Sequence, residues 1–129
     1  MARRLTLDTG VLIASERGCP SLIDAGFADD DLVVAAITIA ELRTGVELAD
    51  GLHRGARAEF LAGILEIMPV EPYDLAVAEV RGRLFAYVHR GGSRRGAHDL
   101  IIAATSVLGA GTTITIRLPG ATWAATGAA

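Results

Sequence analysis

The stretch Leu32-Val33-Val34-Ala35-Ala36-Ile37 constrains this chain more than any other. It is apolar without alternation, and half of its side chains are β-branched. A strand of that kind has no polar face to turn toward water. It reads as a strand buried on both faces, the environment of a parallel sheet covered by helices. Asp29, Asp30 and Asp31 precede it and mark a solvated turn. Thr38 follows it, with Glu41 three residues further on. Thr-x-x-Glu has the form of a capping box, so a helix is expected to open at Thr38, run to about Ala49 and end near Gly51.

The same alternation recurs along the chain. Leu5 to Leu7 is a short apolar run with Asp8 at its end, and Val11 to Ala14 reads as a first helical turn. Ser21 to Ala28 is read as a short helix. Residues 54–66 look helical, with Phe60, Ile64 and Ile67 on one face. Met68 to Val70 suits a brief strand, and Pro69 points to an edge or end position. Asp74 is a candidate cap for a helix whose apolar period is carried by Leu75, Val77, Val80, Leu84 and Val88. An Arg-rich loop at Gly91 to Gly96 leads to an apolar helix from His98 or Asp99 through Leu108. Thr112 to Ile116 reads as a last strand, and 118–129 as an irregular tail. Strands alternating with helices imply an α/β fold with a parallel sheet and right-handed crossovers. With 129 residues and no convincing linker, one domain over 1–129 is expected.

No apolar stretch approaches the roughly 20 residues of a membrane span. Asp8 interrupts the run behind the N-terminal arginines, unlike the apolar region of a signal peptide. Cys19 stands alone, cannot form an internal disulfide, and reads as a small semi-buried filler. The cytoplasm is the expected compartment. A net charge of −3 excludes a broadly basic nucleic-acid-binding surface but not a local one. All twelve basic residues are arginines, whose planar fork suits phosphate. Arg90, Arg94 and Arg95, in or beside the glycine-bearing loop, are candidate phosphate contacts for RNA.

Asp8, Glu41 and Asp99 share a position type, each where a strand or loop gives way to a helix. Sites in open parallel sheets form outside the carboxyl ends of the strands, where residues distant in sequence can meet. Crowded carboxylates need compensation, and a divalent cation supplies it. Oxygen-only ligands favour Mg²⁺ or Mn²⁺ over Zn²⁺. Each acid also has a plain role: Asp8 and Asp99 as helix-starting acids, and Glu41 as the third member of its capping box.

The blocks Leu7-Asp8-Thr9-Gly10-Val11-Leu12-Ile13, Ala40-Glu41-Leu42-Arg43-Thr44-Gly45-Val46 and Asp99-Leu100-Ile101-Ile102-Ala103-Ala104-Thr105 resemble the PIN-domain family. The resemblance is closest to the VapC toxins of bacterial toxin–antitoxin pairs. The blocks occur in the family's order, and the likeness spans roughly residues 5–117. It implies a three-layer α/β/α sandwich around a central parallel sheet, and an Mg²⁺- or Mn²⁺-dependent endoribonuclease that cleaves tRNA or rRNA. A homodimer and a VapB-type antitoxin partner follow from the same likeness. Asp8, Glu41 and Asp99 become the catalytic and metal-binding acids, and Thr9 the small hydroxyl residue beside the first. Water would attack the phosphodiester in line, leaving a 5′-phosphate and a 3′-hydroxyl.

Two departures stand out. Gly10 replaces the family's usual Asn or Ser. No Asp or Glu follows Asp99, whereas the family usually has a fourth Asp or Asn near Thr115-Ile116-Arg117. That absence keeps open a degenerate PIN-like domain that binds antitoxin or RNA without catalysis. Asp8-Thr9-Gly10 also resembles the triplet of aspartic proteases, but those enzymes are nearly all β, and this chain carries several helical stretches.

Overall fold

A computed structural model describes residues 4–17, 31–92, 96–109, 113–118 and 121–126. The chain divides into two compact units, Met1–Glu71 and Pro72–Ala129.

The first unit contains β1 (Arg4–Leu7), α1 (Thr9–Glu16), β2 (Asp31–Ala35), α2 (Ala36–Glu47), α3 (Arg54–Ile67) and β3 (Val70–Glu71). The strands form a sheet in the order β1-β2-β3. All pairings are parallel, with Leu7 opposite Val34 and Val34 opposite Val70. The apolar run thus becomes the central strand, and Val33, Val34 and Ala35 are wholly buried. Leu7, Leu12, Val34, Leu42, Val46, Leu61 and Ile64 form the core that joins the helices to the sheet. Pro69 fits beside the edge strand because it supplies only a carbonyl, which accepts from Val34 N at 3.1 Å.

The start of α2 differs from the capping-box expectation. The strand stops at Ala35, and the helix begins at Ala36 rather than Thr38. Ala35 is the N-cap and makes no side-chain cap bond. The reason is packing. Thr38, Leu42 and Val46, spaced four residues apart, form the buried stripe of the helix. A helix starting at Thr38 would have spent the threonine as a cap outside that stripe. Thr38 is fully buried, and its hydroxyl finds no partner among the described residues. Glu41 is thereby released from any capping role. In α3 the buried residues are Leu61 and Ile64, while Ile67 is mostly exposed because the helix ends there.

The second unit contains α4 (Leu75–Arg90), α5 (Ala97–Gly109), β4 (Thr113–Leu118) and β5 (Ala121–Thr126). Asp74 caps α4 as expected, its Oδ1 accepting from Val77 N at 2.9 Å. Leu84, Val88 and Leu100 form a second core cluster, with Ala103 packed against it. The expected irregular tail is corrected: Ala121–Thr126 pairs antiparallel with β4, Ile116 opposite Trp123. Only Pro119 and Gly120 separate the two strands, a spacing that lets neighbours pair. A ready β-branched partner in Thr113-Ile114-Thr115-Ile116 outweighs the weak strand propensity of the alanines.

The helix read at Ser21 to Ala28, with Asp29 and Asp30, lies outside the described residues, as do Arg94 and Arg95. Among the described residues no helix is long and apolar enough to cross a membrane.

Candidate active site

Asp8 follows β1 directly and is the N-cap of α1. Its backbone is extended, with φ −82° and ψ 165°, so the carboxylate can fold back over the first turn. Oδ1 accepts from Val11 N at 2.9 Å. That bond fixes the side chain but uses little of its capacity, since a carboxylate offers about four acceptor sites. Asp8 remains exposed at the carboxyl end of the strand.

Thr9 links this turn to α2. Its Oγ1 donates to Glu41 Oε1 at 3.2 Å, across 32 residues of sequence. Because β1 and β2 are parallel, the turns that follow them lie at one edge of the sheet. Asp8, Thr9 and Glu41 therefore belong to one corner of the first unit. The half-buried Glu41 also borders a cleft of about 430 Å³ between α1, α2 and α3.

Asp99 lies in the second unit, in the first turn of α5. Its side chain is exposed there, where the helix dipole favours an acid. Gly96 stands close by, and a Cβ on it would lie 3.3 Å from Asp99 Oδ2. Gly10 does the same beside Asp8, where a Cβ would lie 3.3 Å from Oδ1. Both aspartates thus have a glycine leaving room at a carboxylate oxygen. Within each unit, among the described residues, no three His, Cys, Asp or Glu side chains gather closely enough to hold a metal ion by themselves. Arg90 ends α4 and is exposed.

The PIN domain model matches residues 5–116. The chain belongs to the PIN-domain family. Among its relatives, "Ribonuclease VapC5" of Mycobacterium tuberculosis is 34% identical over 102 residues, covering 78% of this chain and 73% of the relative. "Ribonuclease VapC" of Rickettsia bellii is 29% identical over 104 residues, covering 80% of this chain and 77% of the relative. The crystal structure of DNA-bound VapBC from Salmonella typhimurium aligns with a TM-score of 0.72 at 26% identity, covering 83% of this chain and 80% of that one. The α/β fold class and the family resemblance read from the three sequence blocks are thus those of the protein.

The PIN fold of this chain carries polar groups at the cleft that motif reading missed. Arg57 Nη1 donates to the Gly45 carbonyl at 3.0 Å, tying α3 to α2. In the turn between those helices, Asp50 Oδ1 accepts from Leu52 N at 3.1 Å, His53 N at 3.0 Å and His53 Nδ1 at 2.8 Å. His53 also lines the cleft. The signal for these groups was Asp50-Gly51-Leu52-His53, an Asx turn in which the carboxylate replaces a backbone acceptor.

The imidazole hydrogen bond, with help from the backbone N–H groups, holds the Asp50 carboxyl below the usual carboxylate range. A depressed folded-state value stabilises the turn above the unfolded value and loses that contribution as pH falls through the folded one. Below about pH 4 the α2–α3 turn should therefore loosen. The protection factors of the Leu52 and His53 amides, which correct for the intrinsic slowing of exchange in acid, should fall there in the wild type, and already at neutral pH in Asp50→Ala. Equal exchange in both proteins at neutral pH would show that the carboxylate does not hold the turn.

Proposed function

We propose that this chain is the toxin of a toxin–antitoxin pair: an Mg²⁺- or Mn²⁺-dependent endoribonuclease that acts on tRNA or rRNA and is silenced by a VapB-type antitoxin. The observation that carries the reading is the Thr9–Glu41 hydrogen bond. It ties the turn of the first acid to the second acid at the carboxyl edge of a parallel sheet, where such sites form. Relatives named ribonuclease VapC, and a VapBC complex of the same fold, support the activity and the partner.

The donor set fits a hard divalent cation. Asp8, Glu41 and Asp99 offer only oxygen, and glycines leave space beside two of the three carboxylates. These three residues would hold the ion. When bound, it supplies a lowered water pKa and withdraws charge from the scissile phosphate. Asp8 is held by its cap bond, and Thr9 orients Glu41. Arg90 stands in the second unit as a phosphate contact, with Arg94 and Arg95 following in sequence. Exposed Leu48 at the C-cap of α2, with Leu65 and Ile67 on α3, supports a homodimer.

The test is purified protein with total RNA in Mg²⁺, in Mn²⁺ or in EDTA. Discrete fragments with 5′-phosphates should form only with metal. Absence of cleavage in every condition, or cleavage indifferent to EDTA, would sink the proposal. The lack of an acid after Asp99 favours one second reading, a non-catalytic domain. Mn²⁺ titration by calorimetry separates the two, since a domain that binds no metal cannot run this chemistry.

Thr9 is a positioning residue in this scheme. Thr9→Val keeps shape but removes the donor to Glu41. Loss of such an orienting bond lowers activity or metal affinity by about 10–100-fold. Thr9→Ser should restore most of it. Equal activity of Thr9→Val and wild type at limiting Mn²⁺ would remove the bond from the mechanism.

A further inference from the structure

The cleft beside Glu41 is larger than a site for a cation needs, and its walls are not those of a metal site. Its floor is apolar, built from Ile13 of α1, Leu42 of α2 and Phe60 of α3. Its rim is polar, with Glu16, Arg17 and Arg57. At about 430 Å³ it lies within the range of pockets that hold small organic groups, roughly 300–1,000 Å³. A single flat ring system is of the size such a cleft holds.

We propose that this cleft is a nucleotide subsite, taking one unstacked base of the RNA next to the phosphate that is cut. The inference rests on the ribonuclease reading and deepens it. Phe60 and the aliphatic floor offer apolar contact to the base, the mode by which single-stranded RNA is held when its bases are splayed out. Arg17 and Arg57 stand at the rim for the backbone phosphate of that nucleotide. Glu16 is an acceptor for an exocyclic amine of the base. Glu41, the acid that would serve the reaction, itself lines the cleft, one turn before Gly45 on α2. A chain with few aromatics, 5% of its residues, thus places one of them where it can reach an RNA base.

Gly45 makes the proposal testable. It lines the cleft, and a Cβ added there meets nothing within 4 Å. Gly45→Leu should fill the cleft without backbone strain, and it replaces a helical glycine by a better helix former. Phe60→Leu keeps apolar volume and removes the aromatic face. The experiment measures binding of a short single-stranded RNA containing 2-aminopurine, in EDTA so that no cutting occurs, with melting temperature and Mn²⁺-dependent cleavage recorded for each protein. Base–aromatic stacking of about 1–3 kcal/mol corresponds to roughly fivefold to more than a hundredfold in affinity. Both variants should lose RNA affinity about tenfold and lose the change in 2-aminopurine fluorescence, at melting temperatures no lower than wild type for Gly45→Leu. Unchanged RNA affinity in Gly45→Leu overturns the subsite, whatever binding to a protein partner that variant also loses. A wild type that cuts RNA while both variants bind as it does sinks the subsite alone. A wild type that neither binds nor cuts sinks the ribonuclease reading with it.

Discussion

Asp8→Asn is expected to abolish metal-dependent RNA cleavage while leaving the fold intact. Loss of a group that only orients a metal ligand costs about 10–100-fold. Loss of the ligand charge itself should cost at least ~10²–10³-fold, about 2.7–4 kcal/mol of barrier. The substitution is suited to the question because Asn caps helices as well as Asp does. Its Oδ1 can still accept from Val11 N, the bond that seats Asp8 at the start of α1. Melting temperature should therefore stay near wild type, and growth arrest on expression should vanish. Asp8→Ala would confound the result, since loss of a cap costs about 0.5–2 kcal/mol. Glu41→Gln and Asp99→Asn should behave like Asp8→Asn. The proposal that Asp8 and Asp99 serve one ion predicts non-additivity: Asp8→Asn combined with Asp99→Asn should be little worse than the worse single variant. Multiplying losses, or full cleavage by Asp8→Asn, would show that the two aspartates do not serve a common ion.

The sequence carried β1 and β2 because their apolar runs were unambiguous, whereas the brief strand expected at Met68 to Val70 lies at Val70–Glu71, its only shared residue being Val70. Leu32 to Ala35 has no polar face, and β2 is the central strand. Asp74, an acid just before an apolar period, capped α4 as its position required. The start of α2 was misplaced because two signals competed. Thr38 and Glu41 satisfy the local pattern of a capping box, while the buried stripe of Thr38, Leu42 and Val46 demands that the helix already be formed. Tertiary packing decided for the stripe, as it commonly does when a local preference worth ~1 kcal/mol meets a buried face. Strand β5 was missed because its alanines and threonines say little in isolation and acquire meaning from β4 beside them. Motif reading named Asp8, Thr9 and Glu41, and the fold joined two of them through a bond that no spacing rule displays. The cleft was illegible for the same reason. Ile13 and Leu42 stood inside two motif blocks and Phe60 on an apolar helix face, and only packing determines which apolar residues are left facing a gap.

Leu12→Ala should produce the converse of Asp8→Asn, a large loss of stability with the chemical groups still in place. Leu12 is 1% exposed and lies four residues after Asp8 in α1. It shares a cluster with Leu7, Val34, Leu42, Val46, Leu61 and Ile64, so its side chain stands where α1 meets the core. Truncation there removes the transfer energy of the buried methyl groups and leaves a cavity, together about 2–5 kcal/mol. Against a total near 5–15 kcal/mol, that is a large share. The melting temperature should fall by roughly 10–20 °C. Leu52→Ala, at a side chain 85% exposed, should change stability by no more than about 0.5 kcal/mol. Well below its melting point, Leu12→Ala should still cut RNA, because Asp8, Thr9 and Glu41 are all retained. Its activity should nonetheless be lower at limiting metal. The Asp8 cap and the Thr9 donor both sit on the helix that Leu12 anchors, and a loosened α1 holds them less firmly against Glu41. Restoring activity with excess Mn²⁺ would place the defect in how firmly the acids are held. If instead Leu12→Ala melts within about 1 °C of wild type, the packing of α1 on the sheet is not what seats the first acid.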